Sequence, residues 1–314
     1  MTHRQGLRLG TRGSLLARTQ SHWVADRIQD SGELDVELVT IRTKGDALLD
    51  QPLSEIGGKG LFTKELDRAL LDGSIDLAVH SLKDLPTEFP SGLSLGAVPE
   101  REDPRDVLIG PQGGPLTLDT LPRGARIGTS SLRRMALAKA SRPDLVLDDI
   151  RGNLDTRIGK VDAGEYDAIV LAAAGIKRLG WAHRVSEELD PGSWIPAPGQ
   201  GALAVVVRTE DLGRFGWLRS LDHLPSRAAT TAERTVLRAL EAGCRLPVAA
   251  LGLPFGGGLR LRGLVAHPNG RRMVRAEATG AQDDPASLGD KVAELLLKRG
   301  GDLILADLTE VSAE

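Results

Sequence analysis

Short apolar runs alternate with segments of helical spacing along about the first 200 residues of the chain. Apolar runs with the length of buried strands lie at 7–10, 36–41, 75–79, 93–98, 126–128, 145–150 and 168–173. Segments with helical spacing lie between them, at 16–28, 60–71, 132–140 and 154–163. This alternation is typical of parallel sheets whose strands are joined by crossover helices, so we predict an α/β fold.

Two proline-rich segments interrupt the alternation. Residues 99–106 combine prolines with acidic residues, and residues 191–198 contain three prolines. Such breaks predict crossings between domains, and the apolar run at 202–208 is expected to return to the first sheet. After about Pro225 the pattern changes to helix, hairpin and helix, with Pro268-Asn269-Gly270 as the hairpin turn.

These segments together predict two α/β lobes joined by a doubly crossed hinge, followed by a small C-terminal α+β domain. Lobe 1 is discontinuous and spans residues 1–102 and 200–222, lobe 2 spans 103–199, and the C-terminal domain spans 223–314. A length of 314 residues is too great for one ordinary core, which agrees with this division. Two lobes joined in this way are expected to form a cleft whose walls can shift.

Charge and composition narrow the possible functions. The net charge of −3 argues against a general nucleic-acid binder. The amino terminus lacks the apolar core of a signal peptide and no window reaches the length of a membrane span, so a cytoplasmic protein is expected. A single cysteine, Cys244, excludes an internal disulfide. The 31 arginines, against nine lysines, favour recognition of carboxylates or phosphates through paired hydrogen bonds.

Cationic and hydroxyl side chains gather where predicted strands lead into helices. The clusters are Thr11-Arg12-Gly13-Ser14, Thr129-Ser130-Ser131-Leu132-Arg133-Arg134, Arg151-Gly152-Asn153, Arg157 and Lys177-Arg178. Backbone N–H groups at helix starts attract anions, and neighbouring arginines add to this attraction. Because the clusters share one end of two predicted sheets, we expect a ligand with several negative charges that is larger than one phosphate.

Other chemical signatures are missing from the sequence. It has no phosphate-binding loop, no dinucleotide-binding glycine motif and no cluster with metal-ligand spacing. His80 and Ser81 are adjacent but point to opposite faces of a strand, so they do not support a Ser-His-Asp triad. Gly57-Gly58-Lys59-Gly60 lacks a preceding strand and is interpreted as a hinge in a mobile segment at 44–60.

The stretch 79–86 places Asp84 beside Lys83 at the carboxyl end of a predicted strand. Ligands bind at this end of the strands in open α/β sheets. Pro86 stops a regular strand or helix, so Asp84 is expected on a short, fixed turn. The alternative interpretation is a surface Lys–Asp ion pair.

Cys244 follows a helical pattern at 231–240. Gly243 is expected to end that helix, and Arg245 favours the thiolate form of the cysteine, which attacks carbon electrophiles. The alternative is a small, buried hydrophobic side chain.

These residues and their order resemble the porphobilinogen deaminase, or hydroxymethylbilane synthase, family of tetrapyrrole and heme biosynthesis. The similarity covers nearly the whole chain. The matching motifs are Thr11-Arg12-Gly13-Ser14, 57–62, 79–86, 101–106, 128–134, 151–153, 171–179, 198–201 and Gly243-Cys244. The resemblance implies two lobes like those of a periplasmic binding protein, followed along the chain by a third domain.

The resemblance also implies an activity. Enzymes of this family are transferases that condense four porphobilinogen units head to tail with loss of ammonia. The units are added to a covalent dipyrromethane primer, and hydrolysis then releases hydroxymethylbilane. Each pyrrole ring carries an acetate and a propionate, which would account for the predicted polyanionic ligand.

Roles for single residues follow from the resemblance as well. It implies that Asp84 is the catalytic group, which stabilises the cation left by loss of ammonia and moves protons, and that Cys244 holds the dipyrromethane cofactor through a thioether. The groups implied to bind the cofactor are Ser81, Lys83, Asp84, Thr129, Ser131, Arg133, Arg134, Arg151, Gly152 and Arg157. The groups implied to face incoming porphobilinogen are Arg12, Ser14, Arg151, Arg157, Arg178 and Gln200. Lys59 and Phe62 are implied to belong to a lid.

Three positions depart from the family pattern. Ala242 replaces a glycine, Glu55 stands where relatives often have lysine, and Pro198 is unusual in its motif. The reading implies no metal, nucleic acid or membrane, and a monomer is expected. Two alternatives from other classes remain. One is a cytoplasmic two-lobed binding or regulatory protein for a small anion, and the other is a structural α/β protein with a buried Cys244.

Overall fold

The computed structural model describes residues 5–30, 34–43, 45, 63–112, 115–241 and 246–311. The chain divides into two compact units. The first unit is Met1–Glu102 with Ala202–Arg227, and the second unit is Asp103–Gly201 with Ala228–Glu314. The chain therefore passes between the units three times. The division into three domains stays a prediction.

Strands and helices alternate until the last third of the chain, where a sheet is followed by two helices. The strands are β1 (Gln5–Arg12), β2 (Leu34–Ile41), β3 (Leu77–Ser81), β4 (Leu93–Ala97), β5 (Asp106–Ile109), β6 (Arg126–Gly128), β7 (Val146–Asp148), β8 (Ala168–Ala172), β9 (Glu187–Glu188), β10 (Leu203–Arg208), β11 (Val248–Phe255), β12 (Gly258–Ala266) and β13 (Met273–Gly280). The α-helices are α1 (Leu15–Asp30), α2 (Lys64–Leu71), α3 (Leu132–Ser141), α4 (Leu154–Asp162), α5 (Ala173–Arg178), α6 (Leu218–Leu221), α7 (Leu224–Ala239), α8 (Pro285–Lys298) and α9 (Gly301–Val311). No helix within the described ranges has the length and apolar content needed to cross a membrane.

The first unit contains a five-stranded sheet in the order β2-β1-β3-β10-β4. β1 runs parallel to β2 and β3, whereas β10 runs antiparallel to β3 and β4. This pairing confirms the expectation that the apolar run at 202–208 returns to the first sheet. Val205 and Val207 of β10 are buried in one core with Leu9, Leu77 and Val24. The core of the first unit therefore depends on a strand from late in the chain.

The second unit contains another five-stranded sheet, in the order β7-β6-β8-β5-β9. β6 runs parallel to β7 and β8, and β5 runs antiparallel to β8 and β9. The sequence does not predict β5, because aspartate is uncommon in strands and the prolines and acidic residues at 99–106 indicate a break. Asp106 begins this strand because buried arginines bind its carboxylate, as described below.

The C-terminal part forms an antiparallel sheet in the order β11-β12-β13. The hairpin between β12 and β13 was predicted, whereas β11 was missed. One face of the sheet shares a core with Leu137 of α3 through Leu251 and Leu264. The other face packs on α8, where Val292 is fully buried. The shared core explains why the C-terminal part belongs to the second unit.

A buried glutamate of α7 joins two other segments of the second unit. Glu233 is fully buried, and its Oε2 accepts a hydrogen bond from the backbone N–H of Gly199 at 2.7 Å. Its Oε1 accepts one from the N–H of Gly252 in β11 at 2.8 Å. Because Gln200 directly follows Gly199, the C-terminal part helps to fix the backbone beside a predicted site residue.

Candidate active site

The parallel strands β1 and β3 end side by side at one edge of the first sheet. β1 ends at Arg12 and β3 ends at Ser81, and the pairing of Leu9 with Leu77 sets their register. Parallel neighbours bring their carboxyl ends to the same edge, where ligands bind in open α/β sheets. The structure therefore puts Arg12 and Ser81 at one edge of the sheet, as the sequence predicts.

Asp84 ends a short 3-10 turn, Leu82–Asp84, that follows β3 directly. The N–H of Leu82 donates to the carbonyl oxygen of Ala202 at 3.0 Å, and the side chains of Leu82 and Leu85 are buried. Between these two anchors Asp84 is exposed, and it accepts no hydrogen bond from any residue that the structure describes. The predicted short turn is confirmed, and its carboxylate is accessible to a ligand.

Helix α1 begins at the same edge as these strand ends. The Oγ of Ser14 accepts a hydrogen bond from the N–H of Ala17 at 3.3 Å, which caps the helix. Farther along α1, the side-chain amide of buried Gln20 lies 3.4 Å from Ser81 Oγ. The sequence does not predict a role for Gln20, because nothing nearby distinguishes it from other helical glutamines and only the fold brings it to Ser81.

His80 precedes Ser81 in β3, and its side chain is buried. Burial, together with the positive charge of Arg12, lowers the pKa of His80 to about 4. The ring is therefore neutral at physiological pH, and its Nε2 has no hydrogen-bond partner among the described residues. Because a cationic His80 would be repelled by Arg12, the charge of Arg12 favours the neutral form of the ring.

The second unit has a comparable edge where β6 leads into α3. Ser131 caps α3, because its Oγ accepts a hydrogen bond from the N–H of Arg134 at 3.5 Å. Thr129 is buried, and its Oγ1 accepts one from the N–H of Ser131 at 3.3 Å. Each hydroxyl keeps its own hydrogen for a further acceptor such as a carboxylate.

Arg133 and Arg134 follow these hydroxyls, and both side chains are buried. Arg133 Nη1 donates to Asp106 Oδ2 at 2.7 Å, and Arg134 Nη2 donates to Asp106 Oδ1 at 2.7 Å. Burial by itself would raise the pKa of Asp106, but the charges and hydrogen bonds of the two arginines outweigh it and lower that pKa below its ordinary value. The sequence indicates the two arginines as ligand groups but does not indicate Asp106, because the pairing spans more than twenty residues and has no local signal.

A third cationic group lies at the start of α4. Arg157 Nε donates to the carbonyl oxygen of Gly152 at 2.8 Å, and Arg151 Nε donates to Asp149 Oδ2 at 2.8 Å. Burial, together with the like charges of Arg134 and Arg151, lowers the pKa of Arg157 to about 10. Arg134, Arg151 and Arg157 are therefore close enough to repel one another, which is the grouping that the sequence predicts.

Arg178 and Gln200 meet the second proline-rich crossing. Arg178 Nη2 donates to the carbonyl oxygen of Gly201 at 2.8 Å, and Gln200 Nε2 donates to Asp106 Oδ1 at 2.9 Å. Lys177, beside Arg178, is also paired with a carboxylate, because its Nζ lies 2.6 Å from Asp103 Oδ2. The charge of Lys177 is thus balanced within the second unit.

The charges of the second unit fit a cofactor that carries carboxylates. Among the residues that the structure describes, four guanidinium groups, those of Arg133, Arg134, Arg151 and Arg157, bond two carboxylates, those of Asp106 and Asp149. Within these described residues the set therefore has two positive charges more than the carboxylates it bonds. In addition, Arg133 Nε is buried without a hydrogen-bond partner in the described part of the chain. A bound carboxylate would satisfy both the excess charge and this donor.

Several predicted site residues are not described by the structure. Cys244, Lys59 and Phe62 lie outside the described residues, as do Ala242 and Glu55. Their roles stay predictions. Within the described ranges, no group of three or more His, Cys, Asp and Glu side chains is arranged to hold a metal ion.

Comparisons with known proteins cover nearly the whole chain. The profile described as "Porphobilinogen deaminase, dipyromethane cofactor binding domain" matches residues 7–213, and the profile described as "Porphobilinogen deaminase, C-terminal domain" matches residues 228–298. Among solved structures, the periplasmic aliphatic sulphonate binding protein of Escherichia coli is similar over 76% of this chain and 71% of its own, with 14% identity and a TM-score of 0.41.

Two curated relatives are similar from end to end. The porphobilinogen deaminase of Syntrophus aciditrophicus is 48% identical over 305 residues, which are 97% of this chain and 99% of the relative. The porphobilinogen deaminase of Xylella fastidiosa strain 9a5c is 50% identical over 301 residues, which are 96% of this chain and 98% of the relative. With both family profiles matched and this identity kept along nearly all of its length, the chain belongs to the porphobilinogen deaminase family of enzymes.

Proposed function

We propose that this chain is a hydroxymethylbilane synthase. It joins four porphobilinogen units head to tail on a covalent primer and releases hydroxymethylbilane by hydrolysis. Each addition forms one carbon–carbon bond, breaks the carbon–nitrogen bond of the incoming unit and breaks the carbon–hydrogen bond at the accepting pyrrole carbon, so that ammonia leaves and the displaced proton balances it. The observation that carries the proposal is the excess of guanidinium groups over carboxylates among Arg133, Arg134, Arg151 and Arg157, the first two of which are buried, within the part of the chain that matches the cofactor-binding profile.

The excess positive charge supports a dipyrromethane cofactor held in the second unit. When bound through a thioether to Cys244, this group supplies the pyrrole carbon to which substrate units are added. Arg133 and Arg134 bind its carboxylates, and the hydroxyls of Thr129 and Ser131 donate to them. The remaining proposed cofactor groups are Ser81, Lys83, Asp84, Arg151, Gly152 and Arg157.

Incoming porphobilinogen carries an acetate and a propionate, and this chain binds them with arginines. The proposed groups are Arg12, Ser14, Arg151, Arg157, Arg178 and Gln200. Paired, charge-assisted hydrogen bonds orient a carboxylate as well as attract it, so the reacting carbon is held in one position. Lys59 and Phe62 act as lid groups that contact the bound substrate.

Asp84 is the catalytic group of the proposal. Positive charge develops on the substrate as ammonia leaves, and the nearby carboxylate stabilises that charge. The same carboxylate takes up and returns the protons that each addition displaces. Its exposed position on a turn that two buried leucines anchor supports this role, because the group is fixed yet open to a ligand. The enzyme acts as a monomer in the cytoplasm.

A direct assay with porphobilinogen tests the proposal. The purified chain is expected to release ammonia and to form a product that cyclises and oxidises to a pink porphyrin. A two-lobed carrier for small anions would bind porphobilinogen without releasing ammonia, and it would have no use for the accessible carboxylate of Asp84. Binding without ammonia release would therefore contradict the proposal.

A further inference from the structure

The buried carboxylate of Asp106 accepts five hydrogen bonds from four side chains. Its Oδ2 accepts from Arg133 Nη1 at 2.7 Å and from Trp194 Nε1 at 2.9 Å. Its Oδ1 accepts from Arg134 Nε at 3.2 Å, from Arg134 Nη2 at 2.7 Å and from Gln200 Nε2 at 2.9 Å. We call these five residues the Asp106 cluster.

The backbone fixes Asp106 from both sides. It begins β5, which lies between β8 and β9, and it pairs with Ala172 of β8. Its carbonyl oxygen accepts a hydrogen bond from the N–H of Leu189 at 3.0 Å. Arginine and glutamine side chains have several rotatable bonds, so they take the orientation that a fixed carboxylate imposes on them.

Three members of the Asp106 cluster are proposed ligand groups. Arg133 and Arg134 are proposed to bind the cofactor, and Gln200 is proposed to face the substrate. The arginines lie at the start of α3, whereas Trp194 lies in the second proline-rich segment and Gln200 lies two residues after it. One carboxylate therefore accepts hydrogen bonds from two side chains proposed to bind the cofactor and from one proposed to bind the substrate, and these side chains come from two separate segments.

We propose that Asp106 is a positioning residue that fixes the guanidinium groups of Arg133 and Arg134 and the amide of Gln200 in one relative arrangement. The inference rests on the proposed function. Asp106 touches neither cofactor nor substrate and acts only through the residues that do. Its single negative charge keeps two adjacent guanidinium groups from repelling each other, and it leaves one positive charge for a ligand.

The variant Asp106→Asn tests the proposal. It keeps the size of the side chain, but it removes the charge and presents an NH₂ group to a cluster of donors. We expect kcat/KM for porphobilinogen to fall about 100-fold, as misplaced binding groups cause. The matched control is Asp144→Asn, which removes a carboxylate that pairs with Arg142 in the same unit, and kcat/KM is expected to stay within about twofold there.

A double-mutant cycle separates positioning from a purely structural role. Because Asp106 acts through Arg134 as well as through Arg133 and Gln200, Asp106→Asn is expected to lower kcat/KM by about tenfold or less when Arg134→Lys is already present. An unchanged 100-fold loss in that background would overturn the proposal, as would an Asp106→Asn enzyme that matches the control. Urea unfolding of each variant measures its free energy of unfolding, so a loss of stability can be distinguished from a loss of kcat/KM.

A milder variant covers the case in which Asp106→Asn does not fold. Trp194→Phe removes one donor from Oδ2, keeps an aromatic ring and changes no charge. We expect kcat/KM to fall roughly tenfold, against no change for Trp181→Phe, whose ring packs in a different core. Equal kcat/KM values for these two variants would overturn the proposal. A wild-type enzyme without ammonia release would instead refute the proposed function itself.

Discussion

The Nε–H of Arg157 donates to the carbonyl oxygen of Gly152 at 2.8 Å, at the start of α4. Gly152 has a φ of +104°, which residues other than glycine rarely adopt. A Cβ at this position would lie 2.7 Å from the side chain of Thr156. The glycine therefore permits the turn that holds an arginine proposed to bind both cofactor and substrate.

Gly152→Ala is predicted to raise the KM for porphobilinogen about tenfold, because the shifted carbonyl no longer holds Arg157. The free energy of unfolding should fall by roughly 2 to 3 kcal/mol from backbone strain and crowding. Gly164→Ala is the control, since Gly164 has a φ of +76° and nothing lies within 4 Å of an added Cβ. It should cost about 1 kcal/mol and leave KM unchanged. If steady-state assays give Gly152→Ala and Gly164→Ala the same KM for porphobilinogen, the role given to Gly152 is contradicted.

Asp84→Asn is predicted to lower kcat by about 100-fold to 1000-fold, because the amide cannot stabilise the positive charge that develops as ammonia leaves. The free energy of unfolding should change by less than about 0.5 kcal/mol, since Asp84 is exposed. Glu88→Gln removes an exposed carboxylate four residues away and should leave kcat unchanged. Initial rates of ammonia release and urea melts measure both effects. A near-normal kcat in Asp84→Asn would remove this residue from the mechanism.

His80 is predicted to make the fold less stable as the pH falls. Its pKa is about 4 in the folded chain and about 6.5 when unfolded, so between these values only the unfolded chain takes up the proton. The unfolded state is therefore favoured as the pH falls through this window. His80 should account for a loss of about 2 kcal/mol between pH 7 and pH 5.

Urea unfolding at the two pH values measures this contribution. The pH dependence should become shallower in His80→Asn, because the titrating group is gone. His22→Asn, which removes an exposed histidine from α1, is the control variant and is measured at the same two pH values. If His80→Asn keeps the wild-type dependence on pH, His80 is not the group that destabilises the fold as the pH falls.

The mass of the purified chain tests the attachment of the cofactor. If Cys244 holds a dipyrromethane, the wild-type chain should weigh more than its sequence by two linked pyrrole units, and Cys244→Ser should weigh only what its sequence dictates. A hydroxyl is a far weaker nucleophile than a thiolate at neutral pH, so serine should not form the link. Substoichiometric porphobilinogen should add heavier species one pyrrole unit apart. An active wild-type chain of unmodified mass would exclude Cys244 as the attachment point.

Local pattern was sufficient to predict most strands and helices that carry the site. Arg12 and Asp84 were assigned to strand ends because apolar runs precede them, and that placement depends only on neighbours in the sequence. The return of β10 to the first sheet was also predictable, since proline-rich breaks flank an apolar run that needs a buried position.

Long-range pairing could not be predicted in the same way. β5 begins with a charged residue, Asp106, whose burial is tolerable only because Arg133 and Arg134 neutralise it from another segment. The resemblance gave those arginines a ligand role, yet it did not show that a protein carboxylate orients them. Gln20 was missed for the same reason, because its contact with Ser81 exists only once α1 has packed on the sheet.

The position of β10 between β3 and β4 has a consequence for synthesis on the ribosome. β3 and β4 emerge early, but the strand that separates them follows more than a hundred residues later. Until that strand arrives, each of them leaves backbone N–H and C=O groups unpaired, which is the condition in which nascent chains aggregate. The sheet of the first unit therefore cannot be completed until β10 has been synthesised, and we expect the nascent chain to depend most on chaperones during that interval.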